Sequence, residues 1–197
     1  MNTPIELCRL SKAYGEKVLF SELSFSFPPN GLVALCGPSG SGKTTLLRIL
    51  AGLEQADGGQ VLGMEEKSVS MAFQQPRLLP RQTALSNLLA VLQGKEQPPA
   101  AEQHAREMLK LFYSAELAQK RTEQLSGGEQ QRVSLARAFA VKSDVVLLDE
   151  PTASMDAALS ERVTEQICAF AKQRLVILAS HSAAQLAAAD AKIVLGE

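Results

Sequence analysis

The stretch GPSGSGKTT, residues 37–45, constrains the fold of this chain more than any other part of its sequence. It fits the spacing GxxxxGK[ST] and directly follows GLVALC, an apolar run with the length of a strand that is buried on both faces. The residues after it, GKTTLLRILAGL, repeat their apolar side chains at helical spacing. A buried strand, a glycine-rich loop and a helix in this order predict a phosphate-binding loop.

The residue types of this loop suit a triphosphate. Glycines let the backbone curl until successive N–H groups face one anion at the positive end of the following helix. Lys43 is expected to reach the β- and γ-phosphate oxygens, and the hydroxyl of Thr44 to bind Mg²⁺. A glycine turn that only caps a helix is the alternative, which the flanking strand and helix disfavour. The residues expected to bind the nucleotide are Gly37, Pro38, Ser39, Gly40, Ser41, Gly42, Lys43, Thr44 and Thr45.

A second buried run, VVLLDEP at residues 145–151, ends in two adjacent acids. Asp149 is placed to hold Mg²⁺ through water, and Glu150 to face a water molecule in line with the γ-phosphate. The alternative is that both acids only cap the next helix. Water as the acceptor makes the chain a predicted nucleoside triphosphatase.

Buried strands alternate with helices over most of the chain, which predicts an α/β core with a largely parallel sheet. Before the loop, short alternating runs predict an antiparallel β subdomain. Helical patterns run from Gln82 to about Val141 without a strand, and Pro98-Pro99 are expected to separate a helix ending at Gln93 from one starting at Ala101. One domain, 1–197, is therefore expected to comprise a core start with the β subdomain (1–81), a helical subdomain (82–141) and a return to the core (142–197).

The composition adds limits on location and partners. A formal net charge of −1 gives no argument for a nucleic-acid partner, and no apolar run approaches the roughly 18 residues of a membrane helix. The N-terminus lacks the apolar region of a signal peptide, and the three cysteines lack the spacing of a metal site or disulfide framework. We expect a protein of a reducing compartment that reaches a membrane only by docking on another protein.

The stretch LSGGEQQR, residues 125–132, resembles the LSGGQ signature of the ATP-binding cassette (ABC) family. Ser126 and the N–H groups of Gly127 and Gly128 are expected at the N-terminus of a helix, where they form a second anion site. In the family, the P-loop of one subunit and the signature of another enclose ATP head to tail, with two ATP molecules in each dimer. The resemblance therefore implies a partner, either a second copy of this chain or a homologous cassette.

Other family elements occur in order along the whole chain. The resemblance implies that Tyr14 stacks on adenine, although a surface tyrosine on a strand is the simpler alternative. It implies that Gln74 contacts the metal and the attacking water, and that His181 contacts the γ-phosphate. It also implies that Asp156, in ASMD, lies in the loop that crosses the dimer interface. The implied catalytic residues are Glu150, His181, Gln74 and Lys43, the metal ligands are Thr44, Gln74 and Asp149, and the cofactors are ATP and Mg²⁺.

The sequence departs from the family pattern at several positions without removing a catalytic group. Glu129 replaces the signature Gln, Gln75 the usual Glu, Met155 the usual Leu and Ser182 the usual Asp. Lys43 and Gln74 are 74 − 43 = 31 positions apart, so the β subdomain is expected to be trimmed. Since 197 − 181 = 16 residues follow His181, a minimal cassette without a C-terminal regulatory domain is expected.

The favoured interpretation is the ATPase subunit of a membrane transporter, bound to transmembrane permease subunits at the cytoplasmic face of the membrane. The segment PRLLP, residues 76–80 just after Gln74, resembles importer ATPases for nitrate, sulfonate or taurine-like solutes. This resemblance favours import and a solute-binding protein reached through the permease. Three alternatives stay open: a compact exporter, a soluble clamp acting in DNA repair or translation, and a regulator that does not hydrolyse ATP. No nucleic-acid partner is expected, and the solute is not encoded in this chain.

Overall fold

The computed structural model describes residues 4–196, which form two sheets and six α-helices. The first sheet is antiparallel, with the strand order β2-β1-β4. A tight turn at Gly15, whose φ is +58°, connects its first two strands. Its strands are β1 (Glu6–Tyr14), β2 (Lys17–Ser26) and β4 (Gly58–Leu62). The antiparallel β subdomain predicted from the sequence is thus present as a three-stranded sheet.

The second sheet is parallel throughout, with the strand order β5-β6-β7-β3-β8. Every residue of β6 and β7 is buried, because helices and the antiparallel sheet cover the two faces. Since the strands are parallel, the loops that follow them gather at one edge. The strands are β3 (Gly31–Cys36), β5 (Val69–Ala72), β6 (Val145–Asp149), β7 (Leu175–Ala179) and β8 (Ala191–Val194).

The helices follow the predicted order with shifted ends. Pro98 and Pro99 occupy the first two positions of α3, where a proline lacks only an N–H that the helix does not use. The break before this helix is therefore real, but the expected start at Ala101 was three residues late. The helices are α1 (Lys43–Leu50), α2 (Ala84–Leu92), α3 (Pro98–Leu111), α4 (Gly127–Ala140), α5 (Ala157–Ala171) and α6 (Ala183–Ala188), with 3-10 turns at Ala115–Leu117 and Thr122–Gln124.

The helical stretch shares its core with the parallel sheet. One apolar cluster joins α2, α3, α4 and α5 to one face of the sheet, and a second joins α1 and the antiparallel sheet to the other face. Phe139 stacks between Phe112 and Phe170, with ring centroids 5.2 and 4.6 Å away. The division at residues 81 and 141 stays a prediction, and its outermost bounds, residues 1 and 197, lie outside the described residues.

Within residues 4–196, no helix has both the length and the apolar content required to cross a bilayer.

Candidate functional site

An open cleft of about 380 Å³ lies where the strands of the parallel sheet end. It brings together residues from the ends of β1, β3, β5, β6 and β7, which are far apart in the sequence. Its lining is Tyr14, Leu19, Ser39, Gly40, Gly42, Lys43, Thr44, Thr45, Gln74, Asp149, Glu150 and His181. All but Leu19 were predicted to bind nucleotide or metal or to act in catalysis. Leu19 is a buried residue of β2, and its alternating strand pattern carries no signal that distinguishes it from an ordinary core residue.

The phosphate loop packs against the residues at the end of β8. Gly37 has a φ of +138°, and a Cβ atom there would lie 2.3 Å from the carbonyl oxygen of Leu195. The N–H of Leu195 donates to the carbonyl of Cys36 at 2.9 Å, which fixes this close approach. Gly37, Pro38 and Ser41 therefore form the rear of the loop and do not line the cleft. Only glycine fits at position 37 without moving the backbone.

Lys43 is buried, and its ammonium group is directed back over the loop. Its Nζ donates to the carbonyl oxygens of Gly37 at 2.8 Å and Pro38 at 3.0 Å. The third neighbour is Nε2 of His181, 3.2 Å away. The loop carbonyls thus orient the ammonium group, a form of the preorganisation that favours phosphate binding.

Asp149 and Thr44 present oxygen atoms to the same part of the cleft. The hydroxyl of Thr44 donates to Oδ1 of Asp149 at 3.0 Å. Asp149 is 3% exposed, and this burial raises the pKa of its carboxyl, against the opposing effects of Thr44, Arg48 and Lys43. A cation beside this pair would therefore offset the cost of keeping the carboxylate ionised.

Glu150 is held in an uncommon backbone conformation at the mouth of the cleft. Its φ of +48° lies in the left-handed region, and its N–H donates to the carbonyl of Ala179 at 2.9 Å. Burial raises the pKa of the Glu150 carboxyl, while the neighbouring His181 lowers it. Its Oε1 lies 3.6 Å from Nε2 of His181. Backbone strain at a residue of this kind is typical of functional sites.

Gln74 follows β5 and lies on the exposed rim of the cleft. It also lines a neighbouring hollow, together with Glu150, Thr152, Ser160 and His181. Nearby, the guanidinium of Arg77 lies 4.7 Å from the ring centroid of Phe73. Gln74 thus lies at the boundary between the cleft and the outer surface.

The signature residues lie outside the cleft, as expected if a second chain completes the site. The Ser126 hydroxyl accepts from the N–H of Glu129 at 3.3 Å, and the Glu129 carboxylate accepts from the N–H of Ser126 at 2.8 Å, a capping box at the start of α4. The bond that the carboxylate accepts from the Ser126 N–H lowers the pKa of Glu129. The capping box does not use the N–H groups of Gly127 and Gly128, so Glu129 is compatible with the predicted anion site.

One further contact connects the signature to the segment before α5, and a second fixes the end of that segment. A Cβ atom on Gly128 would lie 2.5 Å from the carbonyl oxygen of Ser154, so the signature and the ASMD segment are in close contact. Asp156 caps α5, accepting from the N–H of Leu159 at 2.9 Å. Like Ser126, Gly127 and Gly128, Asp156 does not line the cleft. The contact between Gly128 and Ser154 was not predictable from sequence spacing.

A family model described as "ABC transporter" matches residues 20–153. Among curated proteins, the chain is similar to the sulfate/thiosulfate import ATP-binding protein CysA of Burkholderia mallei, with 42% identity over 173 residues, covering 81% of this chain and 49% of that protein. The CysA protein of Nitrosomonas europaea is 43% identical over 173 residues, with 81% of this chain and 48% of that protein covered. The chain spans about half the length of the curated relatives it matches.

Among solved structures, the chain is similar to the ATP-binding cassette MJ0796, described as a dimer in a post-hydrolysis state bound to ADP and Pi. The TM-score is 0.88 with 26% sequence identity, and the match covers 97% of this chain and 94% of that one. This likeness confirms the predicted α/β fold.

Proposed function

The chain belongs to the ABC transporter family, and from that premise we propose that it binds and hydrolyses ATP to drive transport across a membrane. The observation that carries the proposal is the meeting of Lys43, Thr44, Asp149 and Glu150 in one cleft at the ends of parallel strands. These side chains supply the cation, the hard oxygen ligands and the base that phosphoryl transfer to water requires.

The phosphate loop and Lys43 bind the triphosphate in this proposal. Loop N–H groups and the positive end of α1 attract the phosphate oxygens. Lys43 changes partners from the loop carbonyls to phosphate oxygens, and its charge stabilises the negative charge that develops on the leaving ADP. Since the carbonyl oxygens of Gly37 and Pro38 already hold the ammonium group at the phosphate loop, only this exchange of partners is needed when the phosphates bind.

The residues present fit Mg²⁺. A hydroxyl and a carboxylate oxygen 3.0 Å apart, with the amide of Gln74 on the same cleft, form the oxygen donor set that this ion prefers. Thr44, Asp149 and Gln74 would hold it, with Asp149 acting through water. When bound, the ion supplies charge neutralisation at the β- and γ-phosphate oxygens.

Glu150 acts as the general base. Its raised pKa makes the carboxylate a stronger base than an exposed glutamate, and it accepts a proton from the attacking water. The water oxygen forms a bond to the γ-phosphorus as the bond to the bridging oxygen of ADP breaks. Gln74 orients the water, and His181 contacts the γ-phosphate beside Glu150.

A second cassette completes each ATP site. Ser126, Gly127 and Gly128 lie outside the cleft of their own chain, and the similar cassette MJ0796 is described as dimeric. We infer that the signature of a partner cassette covers the γ-phosphate from the open side, with Asp156 in the loop that crosses the interface. In this arrangement the helical segment 82–141, which contains the signature, acts as the subdomain that contacts the partner's ATP.

The remaining partners follow from the family. Transmembrane permease subunits would hold the cassette pair at the cytoplasmic face of the membrane, and a solute-binding protein would act through the permease. Import is favoured over export because the curated relatives are named for sulfate and thiosulfate import and because of the segment PRLLP. These names also favour a small oxyanion as the solute. The soluble clamp and the non-hydrolysing regulator lose support, since the family model is that of a transporter.

The proposal is tested in two steps with the full chain. Purified protein should bind ATP and release phosphate in the presence of Mg²⁺, and it should co-purify with a multi-span permease from gently solubilised membranes of its native cell. Failure to bind ATP would overturn the ATPase. Recovery with ribosomes or DNA, but without a permease, would replace transport by the clamp alternative.

A further inference from the structure

Tyr14, at the mouth of the cleft, is held by a residue for which the sequence predicts no role. The tyrosine ends β1 and is 52% exposed. Its hydroxyl donates to Oε1 of Glu54, a residue of the loop that follows α1. Glu54 itself is partly buried, with a side chain 19% exposed. A hydroxyl fixed at the far end of the ring prevents the ring from turning freely on the strand end.

Lys12 adds a second restraint on the same ring. Its Nζ lies 5.2 Å from the ring centroid of Tyr14, within the range of a cation–π contact. The ammonium is fixed in turn by Asp57 at 3.1 Å, the carbonyl of Gln55 at 2.9 Å and Glu54 at 3.5 Å, and the Lys12 side chain is only 11% exposed. One face of the ring is therefore covered by the Lys12 ammonium group, which leaves the opposite face for a flat partner.

The loop that makes these contacts continues from α1, the helix that begins at the phosphate loop. The N-terminus of α1 carries Lys43, whereas the segment after its C-terminus carries Glu54 and Asp57. Asp57 also accepts from the N–H of Ala13 at 2.7 Å, which fastens the end of β1 to the same loop. Helix α1 and the loop that follows it thus contact both the phosphate loop and the Tyr14 ring. They therefore restrain the distance between the loop and the ring.

We propose that Glu54 is a positioning residue for the nucleotide, holding the Tyr14 ring through its hydroxyl in the orientation in which the ring stacks on the purine base. This inference rests on the proposed function, because it needs ATP in the cleft. A surface ion pair that only adds stability would affect the binding of all ligands of the cleft equally or not at all. A positioning role for Glu54 should affect only ligands that carry the base.

The first test compares a ligand that carries the base with one that lacks it. Glu54→Ala should weaken binding of Mg-ATP about 3- to 10-fold, as expected for one lost hydrogen bond, and leave binding of inorganic tripolyphosphate unchanged. Tyr14→Phe keeps the ring but removes the hydroxyl and should reproduce this loss. In the Tyr14→Phe background, Glu54→Ala should add nothing. Equal losses of affinity for both ligands would overturn the inference. So would a Glu54→Ala substitution that weakened Mg-ATP binding as much in the Tyr14→Phe background as in the wild type.

Glu16→Ala provides the matched control. Glu16 is an exposed acid at the tip of the same hairpin, and its removal changes the net charge by the same amount without touching Tyr14. It should bind both ligands as the wild type does. If it weakened Mg-ATP binding as much as Glu54→Ala, charge alone would explain the effect and the positioning role would be lost.

The second test needs no nucleotide. The chain has two tyrosines and no tryptophan, so Tyr113→Phe leaves Tyr14 as the only emitting residue. A phenol that donates to a carboxylate emits weakly, so Glu54→Ala should raise the Tyr14 emission in this background, whereas Glu16→Ala should not. Unchanged emission would show that Glu54 does not hold Tyr14. A rise in emission in a protein that binds no ATP would refute the proposed function, and the positioning role with it.

Discussion

Nε2 of His181 lies 3.2 Å from Nζ of Lys43, and the same nitrogen lies 3.6 Å from Oε1 of Glu150. An ammonium group only donates hydrogen bonds, so the first contact needs the lone pair of the imidazole. A carboxylate only accepts, so the second needs a proton on that nitrogen. One nitrogen cannot serve both neighbours at once. Transfer of Lys43 to phosphate oxygens would therefore free His181 to donate to Glu150.

Glu150→Gln should retain ATP binding and lose turnover. The amide fills the same space and can donate to His181, but it accepts no proton from water, so kcat should fall by at least about 100-fold. The dissociation constant of Mg-ATP should stay near the wild-type value. The measurement is phosphate release beside equilibrium binding, with Glu16→Gln as a control that changes the charge without touching the cleft. A variant that hydrolyses ATP at the wild-type rate would exclude Glu150 as the base.

Two inactive variants should restore activity when mixed, if the signature acts across a dimer. Lys43→Ala disables the phosphate loop. Ser126→Asp keeps a good helix cap but places a negative charge where the signature would meet the phosphate. In a mixed dimer, one site combines both defects and the other is intact, so an equimolar mixture should recover about a quarter of the wild-type rate.

The control for this mixing test pairs Lys43→Ala with Glu150→Gln. Both residues line the cleft of one chain, so every site of the mixed dimer carries a defect and the mixture should stay inactive. Recovery in this control, or none in the first mixture, would contradict the head-to-tail arrangement.

A comparison of Gly37→Ala with Gly52→Ala separates the cost of backbone strain from the cost of a steric clash between the new Cβ atom and its neighbours. Both glycines have positive φ angles, +138° and +69°, so a side chain is strained at either position. Only at Gly37 would the Cβ meet another atom, the Leu195 carbonyl, whereas nothing lies within 4 Å of a Cβ on Gly52. We expect Gly52→Ala to cost about 1 kcal/mol of stability and to bind ATP normally. Gly37→Ala should lower the melting temperature further and abolish ATP binding; equal behaviour of the two variants would refute the close packing of the loop.

The parts of the site that were predictable are those encoded by short stretches. Residues 37–45, Glu150 and His181 follow buried strands, and Asp149 ends one. Parallel strands bring their ends to one edge whatever the details of packing. The contacts of Tyr14 with Glu54 and of Gly128 with Ser154 join segments with no common pattern, so only the folded structure reveals them. The predicted start of α3 was wrong for a local reason. Proline breaks a helix when it lies in the interior, but it is favoured in the first turn.

Asp144 offers a test of stability at the opposite end of β6 from the cleft. Its carboxylate accepts from the N–H and the hydroxyl of Ser68 at 2.8 and 2.6 Å, connecting the starts of β5 and β6. These bonds lower the pKa of Asp144 below its ordinary value of 3.8. A lowered pKa means that the unfolded chain binds the proton more tightly than the folded chain does. The stabilisation from these hydrogen bonds is therefore complete above the ordinary pKa of the carboxyl, and it is lost as the pH falls through the pKa of the folded state.

Asp144→Asn should therefore lower the free energy of unfolding by about 1 kcal/mol at pH 7, a modest amount because the carboxylate is exposed. The difference from wild type should stay constant above about pH 5 and narrow progressively below about pH 4. Urea denaturation across this range measures it, and Ser68→Ala, which removes the hydroxyl donor, should show the same narrowing at low pH. A deficit that is independent of pH would mean that the Asp144 charge contributes nothing and that only the shape of the side chain matters.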